Sequence, residues 1–389
     1  SPPQDRSDVY SMNMLVALAG GITTVLSGND VAKLTFGSID DMVIREGAFV
    51  NLNYSSSRPL ERRELWNDLT RVRDYLRDVR NWEINKKRDE EAKEPDKEWL
   101  KGKFEGYRKL LDGQAVAMMT ANGAQELRDV AELARHFGIR VVVRGGIEAW
   151  TVAPELGRAG VSAIITPRDT YDPDPKFNRP TGSSIENARI LHEHGVPVAI
   201  IPGTTGITYW GLAGRDLLHT NMEAAFAVRG GLSNEDALRT ITIDAARILG
   251  VDDQVGSLEV GKDGDMIVTD GDPLSFMTQV HYAVVNGRVA YDKSKDTLFA
   301  HIRPTGEVKP VEFDDYWPRQ LEWPADIPTT NPPEPEATPE VKPNEQNADG
   351  ANSDSESADG VKKDDAAPTP DGEKKEPDTP APADKPGAH

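Results

Sequence analysis

Seven histidines and no cysteine set the terms for any chemistry in this 389-residue chain. Without thiols there is no cysteine nucleophile, no thiolate metal site and no disulfide. Two imidazoles with a metal-like spacing occur in His192-Glu193-His194. That pair ends a predicted helix beginning at Asn187, just before Gly195, where cationic side chains complement the helix dipole, and we read it so. His136 also ends a predicted helix, His219 lies near the start of one, and His281 and His301 fall in or after the C-terminal strands. Ser183-Ser184 reads as a helix start, and no Ser/His/Asp or phosphate-loop pattern occurs. What remains is a polar set at predicted strand ends: Asn53, Thr120, Asn122, Arg144, Asp169 and Thr204. Of these Arg144 has the most specific chemistry, because a guanidinium can grip a carboxylate or phosphate with two parallel N–H bonds. The plainer reading of Arg144 is a salt bridge to Glu148 or Asp169.

These residues must be carried by an alternation of strands and helices. Apolar runs predict strands at 22–26, 31–36, 48–53, 115–119, 140–144, 162–166 and 197–202, with helices near 124–136, 147–158 and 184–194. The alternation predicts a parallel α/β domain, one strand short of a (β/α)8 barrel. A charged stretch at 60–111 carries Leu, Val, Tyr and Trp at helical spacing, interrupted at Pro95, and predicts a helical insertion with a solvated outer face. Residues 167–180, rich in Asp, Pro, Arg and Asn, read as a mobile loop over the strand ends. Further on, Ser233 and Asp236 form an N-cap pattern, and Gly250 suits a C-cap. Leu258 to Val260 and Met266 to Val268 read as two strands around a Gly-rich turn, and Asn286-Gly287 as a tight hairpin.

The net charge is −20, of which −9 falls after residue 330, where 15 acidic residues face 6 basic ones. That tail has almost no large apolar side chains and predicts disorder, a linker or a solubilising segment. An acidic balance without a basic patch argues against a nucleic-acid binder. No apolar run approaches the roughly 20 residues of a membrane span. The absence of cysteine does not decide the compartment. The start, Ser1-Pro2-Pro3, reads as a cut in a longer chain.

The order of a helix, Gly256-Ser257-Leu258-Glu259-Val260-Gly261-Lys262-Asp263-Gly264-Asp265-Met266-Ile267-Val268, the breaker Asp270-Gly271-Asp272-Pro273-Leu274 and a hairpin resembles the C-terminal signature of the amidohydrolase superfamily, in its imidazolonepropionase-like branch. The resemblance extends upstream. Residues 17–25 are similar to the family's first barrel helix entering its second strand, and 232–250 to the paired helices that close the barrel. It covers roughly residues 8 to 305 and implies a TIM-like (β/α)8 barrel lacking its first strand, at 1–250, with part of a composite β-sandwich at 251–310. The tail or linker is then 326–389.

The resemblance also implies a chemistry: hydrolysis of non-peptide C–N bonds, with zinc or another divalent metal held by histidines and an aspartate. At the matching positions this chain has Thr120 and Gly145 for histidines and Gly203 for the aspartate, and Val50, Asn51 and Asn53 offer no bridging lysine. The family's His-x-His pair would lie before Ser1. Thr and Asn are weak ligands and Gly offers none, whereas a hydrolytic centre needs about three protein donors and a bound water. The expectation is therefore a degenerate amidohydrolase-like domain without its own cofactor, partnered by an active amidohydrolase domain or by a second copy. Two alternatives stand beside it: an active metal-dependent hydrolase of small amides completed by upstream sequence, and a module binding a small anion.

Overall fold

The structure, a computed structural model, describes residues 7–55, 57–88, 93–203 and 217–295. Thr204 and the tail at 326–389 lie outside them. Helix α1 spans Met12–Ala19 and is followed by three short strands, β1 (Thr24–Ser27), β2 (Asp30–Lys33) and β3 (Val43–Arg45). Next come β4 (Phe49–Leu52), the long helix α2 (Pro59–Lys86) and α3 (Lys103–Leu111). Then β5 (Val116–Ala121), α4 (Ala124–Phe137), β6 (Val141–Gly145), α5 (Ala153–Arg158), β7 (Ser162–Ile165), α6 (Asn187–Glu193) and β8 (Val198–Ile200) alternate.

Strands β4 to β8 form one parallel sheet in sequence order. Side chains alternate faces along each strand, so each face has its own core. Leu52, Met119, Val143, Ala163 and Val198 point to the helices, packing with Leu127, Val130 and Leu156. Phe49, Met118, Val142, Ile164 and Ala199 face the other way, with Ala246 and Ile248 over them. Helix α4 shows how local sequence makes such an element. Ala124, Leu127, Val130, Ala131, Leu133, Ala134 and Phe137 are its buried stripe, and Gly138 at φ 66 ends it in the left-handed region.

Helices α7 (Thr220–Arg229), α8 (Asn234–Thr240) and α9 (Ile243–Leu249) precede an antiparallel sheet of β9 (Met266–Thr269), β10 (Val280–Val285) and β11 (Arg288–Asp292). The predicted caps are present. Ser233 Oγ accepts the Asp236 N–H at 3.0 Å, and Gly250 sits at φ 68. Asn286 and Gly287 take φ 52 and 72, the twist a two-residue hairpin needs. Met14, Ala17 and Leu18 of α1 share a core with Ala283, Val285 and Tyr291.

Three expectations need correction. The runs at 22–26 and 31–36 are not parallel barrel strands: β1 and β2 pair antiparallel, Ser27 opposite Asp30, because the two residues between them allow only a hairpin. Leu258 and Val260 do not form a strand and are 73% and 110% exposed. The loop at 167–183 is tied down rather than loose. Ser183 N–H reaches Tyr171 O at 2.9 Å, Asp174 N–H reaches Thr181 Oγ1 at 2.8 Å, and Arg168 pairs with buried Glu223 at 2.8 Å. In the charged stretch α2 and α3 are helical while residues 93–102, with Pro95, are not, and Leu65, Leu69 and Val72 bury the inner side of α2.

Candidate functional site

Parallel register decides which of the six predicted residues can act together. Thr120 pairs with Arg144 across β5 and β6, and Arg144 with Ile164 of β7. Leu52 pairs with Met119, so Asn53 follows beside Thr120. Asn53, Thr120 and Arg144 thus form one row at the C-terminal strand ends, on the sheet face that carries Met118, Val142 and Ile164 further down. All three are exposed. Asn122 lies one residue beyond β5 and joins the row from above. Asp169 is in the following loop, where its N–H bonds to Thr166 O at 3.0 Å, and Thr204 lies outside the described residues.

Arg144 does not make the salt bridge expected of it. Glu148 is buried and fully engaged: Oε1 accepts the Gly182 N–H at 2.8 Å, and Oε2 the Ala124 N–H at 2.9 Å and Arg179 at 3.4 Å. One carboxylate thereby ties the start of α4 to the 167–183 loop, helped by Trp150 Nε1, which donates to Gly182 O at 2.9 Å. Sequence named Glu148 only as a counter-ion; its buried structural role carries no local signal. Among the described residues neither the Arg144 guanidinium, the Thr120 hydroxyl nor the Asn122 carboxamide has a hydrogen-bond or ion-pair partner. Asn53 differs, since its Nδ2 donates to Glu61 Oε2 at 3.0 Å.

On its far side Asn53 borders a cavity of about 200 Å³ between α2 and α3, lined by Glu61, Glu64, Asp68, Lys103 and Tyr107. Lys103 bridges Asp68 at 2.8 Å and Glu64 at 2.9 Å. Hydrogen bonds to those two carboxylates raise the Lys103 pKa well above that of a free lysine, so it is a fixed cation and not a base or nucleophile. Burial pushes the Tyr107 phenol up as well.

The row does not fit a hydrolytic divalent metal. Gly145 has φ 105, and a Cβ built there overlaps Asn122 Oδ1, so the carboxamide of Asn122 occupies the space of a side chain at that position. The neighbouring guanidinium repels a metal cation instead of binding it. Among the described residues no group of three or more His, Asp or Glu is placed to hold one. His192 and His194 end α6 as expected, with His192 Nε2 3.7 Å from Asp236 Oδ2. His136 lies against Trp66, and His281 is 3.3 Å from Asp270. No helix among the described residues is long and apolar enough to cross a membrane.

The described residues form a parallel α/β sheet with polar groups at its C-terminal strand ends, followed by a small antiparallel sheet, and this arrangement is shared in part with known proteins. Residues 155–311 match the amidohydrolase family. Over that stretch the chain is similar to the amidohydrolase family, and imidazolonepropionases are among its sequence relatives. It is 33% identical over 119 residues to an imidazolonepropionase of Shewanella baltica, covering 30% of this chain and 25% of that protein. With the Sphingopyxis alaskensis enzyme the identity is 29% over 139 residues, 34% of this chain and 30% of the relative. The matches thus span between a quarter and a third of those relatives' length. The crystal structure of an amidohydrolase from Thermotoga maritima MSB8 superposes with a TM-score of 0.56 at 23% identity, over 75% of this chain and 77% of that one, a likeness of fold.

Proposed function

We propose that this chain is a catalytically degenerate amidohydrolase domain of the TIM-like barrel type, to which the five parallel strands β4–β8 belong, and whose antiparallel sheet at β9–β11 is one leaf of a sandwich. Its role is structural or regulatory, beside an active amidohydrolase domain or a second copy of itself. The observation that supports this most is the pairing of Gly145 with Asn122. A ligand side chain at that strand end would need positive φ at position 145 and a displaced Asn122, and the neighbouring residue on β6 is the cation Arg144. Without a metal there is no water of lowered pKa for attack on a C–N bond.

The test is metal content by plasma mass spectrometry after exposure to zinc, manganese and iron and desalting, together with turnover of a panel of small linear and cyclic amides. The expected result is well below one metal per chain and no chelator-sensitive hydrolysis. Near-stoichiometric metal with chelator-sensitive turnover overturns the proposal and favours the alternative of a working hydrolase of small amides.

A further inference from the structure

We infer that Asn122-Gly123 is a site of spontaneous succinimide formation, through which the protein acquires an aspartate or isoaspartate just past the C-terminal end of β5. This goes beyond the reading of the domain as degenerate and does not depend on it. The chain holds two Asn-Gly pairs, Asn122-Gly123 and Asn286-Gly287, and the fold treats them in opposite ways. At the β10–β11 hairpin both residues have positive φ, 52 and 72, so the turn itself calls for Asn and Gly. There the Gly287 N–H donates to Gly264 O at 2.9 Å. The Asn286 carboxamide accepts from Lys33 Nζ, and its Nδ2 donates to Asp41 O at 3.3 Å. The attacking nitrogen and the amide it would attack are both tied up.

At the end of β5 neither is. Asn122 is exposed, and among the described residues neither its carboxamide nor the Gly123 N–H has a hydrogen-bond partner. Gly123 has φ −80 and ψ 149, extended backbone open to any residue, and a Cβ built there meets nothing within 4 Å. Neither strain nor packing calls for that glycine, but its lack of a Cβ leaves the nitrogen open to approach. The backbone of Asn122 is held, its N–H by Glu126 at 3.4 Å and its C=O by the Glu148 N–H at 2.9 Å, so the reaction is slower than in the unfolded chain.

The step needs only water. The Gly123 nitrogen loses its proton to solvent and attacks Asn122 Cγ. The Cγ–Nδ2 bond breaks, and the amide nitrogen takes up a proton and leaves as ammonia. Water then opens the ring at one carbonyl or the other, giving aspartate, or isoaspartate with one extra carbon in the main chain. Either product sets a carboxylate two residues past Thr120, the register partner of Arg144. The isoaspartate also lengthens the chain close to Ala124, whose N–H is held by Glu148 at 2.9 Å, and so loosens the tie between α4 and the 167–183 loop.

The experiment incubates the full chain at mildly alkaline pH, folded and in parallel in urea, and follows both Asn-Gly pairs by mass-spectrometric peptide mapping, with isoaspartate counted by enzymatic methylation. In the folded protein conversion at Asn122 should run roughly 10-fold or more ahead of Asn286, because reaction at the hairpin must wait for local opening. In urea the two rates should converge. Gly123→Ala fits the backbone and the open space at that position, so it should melt with the parent and slow conversion at Asn122 roughly 10-fold while leaving Asn286 unchanged. Amide exchange at the start of α4 should quicken as isoaspartate accumulates. Several results overturn the inference: Asn286 converting as fast as Asn122 in the folded chain, a difference that persists in urea, or no conversion at Asn122 by the time the urea sample is fully converted. So does a folded Gly123→Ala variant that converts as fast as the parent; if that variant misfolds, the comparison of folded and urea samples decides.

Discussion

The most searching test of the fold is Lys33. This lysine ends β2, and its side chain is 2% exposed. Its Nζ lies 2.6 Å from Asp263 Oδ2 and 3.1 Å from Asp265 Oδ1 and also bonds Asn286 Oδ1. It thereby joins the small N-terminal sheet to the turn before β9, more than 200 residues later. The two carboxylates differ. Asp263 is 41% exposed and can rehydrate, whereas Asp265 is 4% exposed and its Oδ2 has no hydrogen-bond partner. Lys33→Met keeps the stem packed and deletes the ammonium. Asp265 then retains only the Asn286 N–H at 2.8 Å, and one buried carboxylate is left uncompensated. Breaking a buried pair from one side costs about 3–5 kcal/mol, and with Asp263 free to hydrate the lower end applies, about 3 kcal/mol. At about 3 °C per kcal/mol for a domain of this size the melting temperature should fall by about 9 °C. Urea unfolding and thermal melts at pH 7 measure both. Adding Asp265→Asn to Lys33→Met removes the stranded charge and should recover more than about 1 kcal/mol. A Lys33→Met variant within about 0.5 kcal/mol of the parent, or a double variant no better than the single, refutes the reasoning.

Asp270 gives a prediction on pH. Burial raises its pKa, but the Gln279 N–H at 2.7 Å and the His281 contact outweigh that and hold the carboxyl below its usual range. Its contribution is thus present above the unfolded value and lost as pH falls through the lower folded one, so the melting curves of Asp270→Asn and the parent should differ by a few tenths of a kcal/mol at pH 7 and converge near pH 2; a gap independent of pH contradicts this. Leu69→Ala, at a residue of α2 that is 0% exposed, should cost about 2–5 kcal/mol, against about 0.5 or less for Leu60→Ala at 80% exposure; equal effects in urea unfolding would mean that the insertion is not docked as described. Gly145→His should destabilise by a few kcal/mol without creating a zinc site, since the positive φ and Asn122 both oppose the side chain; a zinc-dependent rise in melting temperature would contradict the geometry.

How much of this was legible in the sequence depends on how far apart the causes lie. Strands β5 to β8 and helix α4 were readable because the apolar period and the capping glycine are local to each segment. The antiparallel pairing of β1 with β2 was present in Gly28-Asn29 but was overridden by the general strand–helix alternation. The short strand at Val43–Arg45 has too few residues to show a period. Leu258 and Val260 alternate as a strand should, but alternation records only which side chains could share a face and not whether a neighbouring strand is there to pair. The row of Asn53, Thr120 and Arg144 followed from placing strand ends correctly. The engagement of Glu148 did not, because its partners Ala124 and Gly182 are 24 and 34 residues away. The Lys33 cluster is the extreme case, and only the folded chain shows why Asp263 and Asp265 matter.

The buried carboxylates explain why the strand ends behave as they do. A hydrolytic centre needs acids that keep lone pairs free at the strand ends, to bind metal or to take a proton. Here the two buried glutamates of that region have spent theirs on structure: Glu148 on two backbone N–H groups and Arg179, Glu223 on the backbone and side chain of Arg168. Each holds one end of the 167–183 loop, so neither can be released for chemistry without freeing the loop. With the acids committed in this way, the groups still open to a ligand at β5 and β6 are N–H and O–H donors around one positive charge. The same bonds that order the loop thus leave neither Glu148 nor Glu223 free to hold a metal ion or take a proton at these strand ends. Glu148→Gln, which weakens the link between the start of α4 and the loop, should therefore cost about 1–3 kcal/mol in urea unfolding, and a variant as stable as the parent would contradict this role.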